Sequence, residues 1–555
     1  MELAMSSAIA LLVAAGVYLM LRARSFDVIL GLTLLSYATN LLIFSSGRLV
    51  AGKPPVLREG VAATSEHRRM GAVPQRVVAW LSMLATLAAG VALLGLASEG
   101  GVTAYLLGDW PNHLGIVLMV DRLSALMVVA TGILAAACLL HACSGWDRRA
   151  PHFHALFQFQ LVGLNGAFLT GDLFNLFVFF EVLLIASYGL LLGGGRGVRM
   201  RAGLHYVAFN IAASTLFLVA LGLVYGVFGS LNMAELSARI ASLPAADMAM
   251  AKATLGLLLV VFCSKAALMP LYLWLPDTYA RAPAAVAALF VIMTKVGIYA
   301  SLRVGQLLLG EPAGELAGYG QDWIAWGAVA TLALGTLGVL AAPRLRVLSA
   351  YLVVVSAATL FIAFSLRAEA ALGAGLYYLL HSTFVVAALF MIADLVRRGR
   401  GDEMRDLSHP VASPAVRRLA GGMYLVAAVS VAGLPPLSGF MGKLALLQAV
   451  PAADVAWVWT AILASSLLVI VGLVRAGSNL FWRVPPPVPE VAGLKPAGRR
   501  PFETAATVVL LALGVALAIG AAPVLDYTRA TAAQLMSPED YVRQVRDTDP
   551  AWRNP

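Results

Sequence analysis

Apolar residues run along this chain in long, unbroken blocks. Runs of spanning length occur at 4–22, 27–46, 77–98, 121–144, 153–170, 172–194, 203–228, 250–275, 283–303, 323–342, 347–366, 370–394, 418–449, 455–478 and 503–525. A helix needs about 20 apolar residues to cross a bilayer, and a barrel strand only about 10. Lipid cannot satisfy backbone N–H and C=O groups, so runs this long predict helices. The expected fold is an all-α polytopic membrane protein of about 15 transmembrane helices.

The polar positions between the runs alternate in sign. Arg148/Arg149, Arg196/Arg199/Arg201, Arg344/Arg346, Arg397/Arg398/Arg400 and Arg483/Lys495/Arg499/Arg500 fall in every second loop, and Glu99/Asp109, Glu235/Asp247, Glu311/Glu315 and Asp454 fall in the others. Cytoplasmic loops carry the excess of Lys and Arg, so the basic loops are placed inside. The segment after 525, with Glu539, Asp540, Asp547 and Asp549, is then external. The first hairpin breaks the alternation. Its own loop, 22–26, is basic, and so is 47–76, with Arg48, Lys53, Arg58, Arg68, Arg69 and Arg76; one span lies between them. Both loops cannot be inside. We therefore expect a boundary at about residue 69, with 1–69 a hairpin and linker, 70–530 a core, and 531–555 an external tail.

Composition narrows the class. Only 12% of the 555 residues are charged, about half the share in a soluble protein, which excludes a soluble enzyme or a disordered chain. The net charge of +10 is scattered over short loops and forms no patch for nucleic acid. Cys138, Cys143 and Cys263 lie in or beside apolar runs and suggest neither disulfides nor metal ligation. Residues 1–22 carry only Glu2 before the run, so they read as a retained span and not a cleaved leader.

Five ionisable residues fall inside spans: Glu181, Lys265, Lys295, His381 and Lys443. A charge at such depth costs a few kcal/mol or more, and persists where it faces a partner or a wet cavity. Lys265 is the natural partner for Glu181. A change in their separation would change the proton affinity of the lysine, giving a switch for loading and releasing a proton. The competing reading is a static ion pair joining two helices.

Two five-helix groups, 153–303 and 323–478, share a pattern. The fourth member of each is interrupted by proline, in KAALMPLYLWLP (265–276) and GLPPLSGFMGK (433–443). Pro270 cannot donate to the carbonyl of Ala266, and Pro435 and Pro436 remove two more donors. Paired broken helices point to inverted repeats with sites near the breaks; a plain packing kink is the alternative. Lys265, Lys295, His381 and Lys443 would form a row of proton-exchanging groups, with His381 suited to relay or, alternatively, a hydrogen-bonded core histidine. Water must join them, because packed helix axes lie about 8–10 Å apart.

Weaker signals have plain readings. His141, Cys143, Asp147, His152 and His154 cluster near one basic loop, but their spacing is irregular and we assign no metal. His205 is a proton entry point or a simple interfacial histidine. Asp121 and Arg122 read as interface anchors, and Asp277 and Arg281 as a cap or local pair.

GAFLTGDLFNLFVFFEVLLIASY (166–188), SKAALMPLYLWLPDTYARAPAAVAALFVIMTKVGIY (264–299) and LPPLSGFMGKL (434–444) resemble the antiporter-type membrane subunits shared by respiratory complex I and multisubunit Mrp cation/proton antiporters. GDWPNHLGIVLMVDRLSALM (108–127) and Lys443 are similar to the D-type Mrp subunit in particular. The resemblance implies Glu181 and Lys265 as a coupled pair and Lys295, His381 and Lys443 as the onward proton path. Some relatives carry a lysine five residues after His381; Val386 stands here, which puts more weight on His381.

VILGLTLLSYATNLLIFSSG (28–47) and GKPPVL (52–57) resemble the first hairpin of the C-type Mrp subunit. A loss of the third C-type span and the first D-type span at their junction would explain the orientation conflict. The implied activity is proton translocation in a hetero-oligomeric Na+/proton antiporter of the bacterial inner membrane. The implied partners are subunits of types A, B, C or its remainder, E, F and G. No redox cofactor is indicated. The alternative is a proton-pumping module of a complex I-like or hydrogenase redox complex.

Overall fold

The computed structural model describes residues 72–107, 110–111, 115–150, 152–194, 197–398, 411, 414–483 and 501–548. The runs at 4–22 and 27–46, the boundary at 69 and most of the proline-rich 482–500 loop lie outside the described residues.

The apolar runs become helices: α1 (Ala72–Ser98), α2 (Arg122–Ala142), the short α3 (Trp146–Arg149), α4 (Phe153–Leu169), α5 (Leu173–Leu192), α6 (Val198–Phe228), α7 (Met233–Ala241), α8 (Met248–Lys265), α9 (Trp274–Arg281), α10 (Ala284–Leu309), α11 (Gln321–Ala341), α12 (Leu345–Ser365), α13 (Glu369–Arg398), α14 (Pro414–Ala432), α15 (Ser438–Gln448), α16 (Val455–Gly477), α17 (Pro501–Ile519), α18 (Ala521–Met536) and α19 (Glu539–Asp547). Among the described residues, 12 helices are long and apolar enough to cross a membrane. The 17-residue α4 is slightly shorter than these. The fold is thus an all-α polytopic membrane protein.

Two helices form the axis of the bundle. Nearly all of α10 is buried, and it packs on α2, α8, α12 and α13. α13 packs on α10, α12, α14, α15, α17 and α18. These two carry Lys295 and His381. By contrast α1 shows Val73, Val77, Leu81, Leu84 and Leu96 on its outside, as a lipid-facing helix must.

Both proline-containing runs are broken. Run 250–275 divides into α8 and α9 across a stretch of turns, and run 418–449 into α14 and α15. Each break is pressed against a neighbour at a glycine. A Cβ on Gly297 of α10 would sit 2.7 Å from the backbone nitrogen of Ala266, and one on Gly439 would sit 1.8 Å from the carbonyl oxygen of Ser430. No larger residue fits at either place without moving backbone.

Several of the basic residues gather at one end. Arg199 donates to the carbonyl of Arg281 and Arg346 to that of Ala282. Arg149 and Arg397 line the same cleft, and Arg475 donates to the carbonyl of Ala342. At the opposite end a small antiparallel ribbon appears, β1 (Thr103–Leu106) and β2 (Val117–Val120), paired Thr103 to Val120. It was not read from the sequence, because four-residue strands leave no clear alternation beside apolar runs. Residues 521–547 do not trail away but form α18 and α19, and Tyr541 and Val545 of α19 are buried.

Candidate functional site

The five membrane-embedded ionisable residues lie on α5, α8, α10, α13 and α15; Lys265, Lys295 and His381 are buried, and Glu181 and Lys443 are half-buried. Lys265 ends α8, where it is buried and donates to Ser214 Oγ of α6 at 3.0 Å. Its ammonium also lies 5.9 Å from the ring of Phe180, the residue before Glu181 on α5. The charges of Glu181 and Lys265 are near enough to interact. They do not touch: no ion pair within 4.0 Å joins them, and Glu181 Oε1 has no hydrogen-bond partner among the described residues. The residues alone suggested a direct pair; the structure interposes the Ser214 hydroxyl as the partner of the amine.

Lys295 is fully buried on α10 and donates to Ser356 Oγ of α12 at 2.6 Å. His381 on α13 shares a hydrogen bond of 2.9 Å between Nδ1 and Ser438 Oγ, at the start of α15. Lys443 on α15 donates to the carbonyls of Val431 and Ala432 at 3.2 and 3.0 Å and to Ser466 Oγ of α16 at 2.9 Å. In an unbroken helix those two carbonyls would accept from residues 435 and 436, which are prolines. The breaker residues therefore leave two acceptors open, and the lysine ammonium fills them.

A cleft runs past two of these groups, His381 and Lys443. Ser356, His381, Lys443 and Ser466 all line it, together with Thr359 and Ser465. Its walls mix these polar groups with Leu352, Val355, Val386 and Val469, and it has room for about one water molecule. Lys295 reaches it through Ser356.

A second buried charge pair was missed. Asp121 caps α2 by accepting from the Ser124 N–H at 2.9 Å. Both its oxygens also take the guanidinium of Arg303, from the far half of α10, with one bond of 2.7 Å. Asp121 is only 2% exposed, so it is no interface anchor. Burial works to raise its carboxyl, but Arg303 and the Ser124 hydrogen bonds outweigh that and hold it below the usual carboxylate range. The signal available in the sequence was Arg303 itself, which closes the 283–303 run. The expected local pair of Asp277 and Arg281 forms at 2.6 Å.

The histidine-rich loop divides in two. Asp147 takes Arg76 at 2.6 Å and His154 at 3.3 Å. His141 points elsewhere, toward Asp394 and Glu503. His205 is exposed on α6.

Fold and site together define a polytopic membrane protein with lysines and a histidine inside the membrane, two of the lysines beside helix breaks. Residues 170–469 match the family described as "NADH:quinone oxidoreductase/Mrp antiporter, TM". The chain is 40% identical over 484 residues to the D-type subunit of a probable K(+)/H(+) antiporter of Rhizobium meliloti, covering 82% of this chain and 88% of that one. It is 34% identical over 474 residues to the D-type subunit of the Na(+)/H(+) antiporter of Alkalihalophilus pseudofirmus, covering 85% and 94%. A chain in the structure of the Mrp complex from Dietzia superposes with a TM-score of 0.77 at 28% identity, over 85% of this chain and 96% of that one. The chain belongs to the Mrp antiporter family, as a protein of the D type. It is a multi-pass protein of the bacterial inner membrane, part of a transporter and not an enzyme.

Proposed function

We propose that this protein carries protons across the membrane in a monovalent cation/proton antiporter, using Glu181 and Lys265 as a switch and Lys295, His381 and Lys443 as the onward relay. The observation that carries this reading is the hydroxyl and carbonyl surroundings of the amines. Lys265, Lys295 and Lys443 are held by Ser214, Ser356 and, for Lys443, Ser466 with two open carbonyls. Neutral acceptors let an amine gain or lose a proton without breaking a contact ion pair, and a serine hydroxyl can both donate and accept. The cleft past Ser356, His381 and Lys443 supports the reading, since a water there could bridge these groups.

Na+ is the expected counter-ion, moved outward against entering protons; the names of the relatives bring K+ beside it. The groups 153–303 and 323–478 are read as inverted repeats, each with its break as the fourth member. Partner subunits of types A, B, C or its remainder, E, F and G complete the complex. Residues 1–69 are read as a C-like docking hairpin, with 47–76 cytoplasmic; labelling from outside of a cysteine placed there would refute that.

The test of the switch uses the complete complex in inverted membrane vesicles. Glu181→Ala and Lys265→Ala should each abolish proton movement driven by Na+ or K+ while the complex still assembles. Full activity in either assembled variant would overturn the proposal.

A further inference from the structure

The basic end of the bundle holds an ionisable cluster that the relay does not use. His141 of α2, Asp394 of α13 and Glu503 of α17 each offer a ligand atom, and these atoms all lie within 4.8 Å of one another. The three residues are 3%, 4% and 1% exposed. They come from places 253 and 109 residues apart (394 − 141 and 503 − 394), so the tertiary fold alone assembles them. α17 packs on both α2 and α13, which brings the third member in.

The charges around the cluster decide what it can hold. Arg346 of α12 donates to Asp394 Oδ1 at 2.8 Å, and Arg397 of α13 donates to the same oxygen at 3.0 Å. Arg149 of α3 and Arg199 of α6 line the cleft onto which His141 and Asp394 face. The first turn of α10, at Ala284 and Ala285, adds no charge there. Two carboxylates and an imidazole are a reasonable ligand set for a transition metal. A divalent ion would, however, sit beside guanidinium groups that already occupy an Asp394 oxygen. A proton is the cation that fits: it needs no coordination shell and can be shared between an imidazole and a carboxylate this close together.

We propose that His141, Asp394 and Glu503 form a shared-proton site that sets the pH dependence of antiport. A proton enters from the basic-side water through the cleft, binds a ring nitrogen of His141, and can pass to a carboxylate oxygen of Glu503. The cluster then changes by one unit of charge and the proton belongs to the group, not to one residue. The site is positioned to be felt by the relay. Asp394 and His381 share α13, about 20 Å apart along the helix axis. α17 carries both Glu503 and Gly514, and a Cβ added at Gly514 would lie 3.7 Å from Ser438 Oγ, the partner of His381.

This inference rests on the relay reading, and the experiment separates the two. Proton movement is recorded across a pH series in vesicles carrying the complete complex with Glu503→Gln, His141→Gln or the charge-keeping Glu503→Asp. The expected result is a half-maximal pH displaced by a unit or more in the first two, with Glu503→Asp close to the parent and antiport retained at the best pH. Unchanged pH profiles in the assembled variants would overturn the site while leaving the relay intact. Failure of Glu503→Gln to assemble, with an unaltered profile in His141→Gln, would show a structural cluster and also overturn it. Zinc measured at one equivalent in the purified complex, and lost in His141→Gln, would replace the proton by a metal. Activity in Glu181→Ala, by contrast, would strike the relay alone.

Discussion

The two broken helices place a lysine in opposite ways. In the first break Lys265 is the last residue of α8, before Pro270. In the second Lys443 lies beyond Pro435 and Pro436, inside α15. Lys265 has one neutral acceptor, Ser214, and the charge of Glu181 nearby. Lys443 has three neutral acceptors, two of them carbonyls that proline has stripped of their helical donors. An ammonium inside the membrane can thus be stabilised by a nearby carboxylate it does not touch, or by backbone dipoles it does. The first arrangement suits a switch, and the second suits a fixed station at the end of a path.

After the losses expected for Glu181→Ala and Lys265→Ala, the next largest effect is expected at the second break, from removing its lysine. Lys443→Ala leaves the Val431 and Ala432 carbonyls buried without a donor and removes a proton-bearing group. Each orphaned acceptor costs about 1–3 kcal/mol. Proton movement in vesicles should fall at least about tenfold, the equivalent of ~1.4 kcal/mol or more on the rate-limiting step. Parent-level transport in an assembled Lys443→Ala complex would place the path elsewhere.

Restoring the donors is the next test. Pro435→Ala with Pro436→Ala gives Val431 and Ala432 their helical N–H partners and lets α14 continue. The ammonium then competes with backbone donors for its carbonyls. Transport should drop several-fold, since each hydrogen bond to a charged group is worth about 1.5–3 kcal/mol. The same exchange at the first break, Pro270→Ala, should alter transport less, because Lys265 makes no hydrogen bond to a carbonyl there.

The hydroxyls sharpen the contrast further. Ser214→Ala removes the hydrogen bond that holds Lys265, whereas Ser466→Ala leaves Lys443 with two others. The loss of transport should be about tenfold for Ser214→Ala and about two- to threefold for Ser466→Ala, following the charged-bond range of about 1.5–3 kcal/mol shared among fewer or more partners. Equal losses would mean that the two stations are not distinguished by their acceptors.

Much of this arrangement was legible in the residues. Unbroken apolar runs located the spanning helices, since runs this long are too long for barrel strands and lipid leaves no other structure. The five deep ionisable residues stood out for the same reason, and the prolines marked both breaks. What could not be read was which acceptor each side chain finds. Ser214, Ser356 and Ser466 are unremarkable letters in apolar runs, because a hydroxyl in a helix usually bonds its own backbone, as Thr336 does to the Leu332 carbonyl at 2.7 Å. Asp121 looked like an anchor because its partner, Arg303, is 182 residues away. The basic-end cluster was hidden for the same reason: His141 sits beside a histidine-rich loop, and only the packing of α17 turns it from that loop toward Glu503.

The smallest effect concerns the end of α5 that leads into the switch. Asp172 caps this helix, accepting from the Asn175 N–H at 2.8 Å, nine residues before Glu181. Burial pushes its carboxyl up to about 6, against the pull of backbone N–H groups at Asn175 and Phe174. A raised carboxyl means that the folded state binds its proton more tightly than the unfolded chain does. The resulting stabilisation is complete below the ordinary value near 3.8 and is lost as pH rises through about 6. Asp172→Asn keeps the cap, since asparagine is as good an N-cap residue, and removes the titration. The apparent melting temperature of the purified complex should therefore decline less between about pH 4 and 6 in the variant than in the parent. No comparable carboxylate begins α15, where Leu437 occupies the cap position, so an analogous change there has no pH slope to remove. An unchanged slope in Asp172→Asn would show that its carboxyl is not the group titrating, and would remove this asymmetry between the entrances to the two stations.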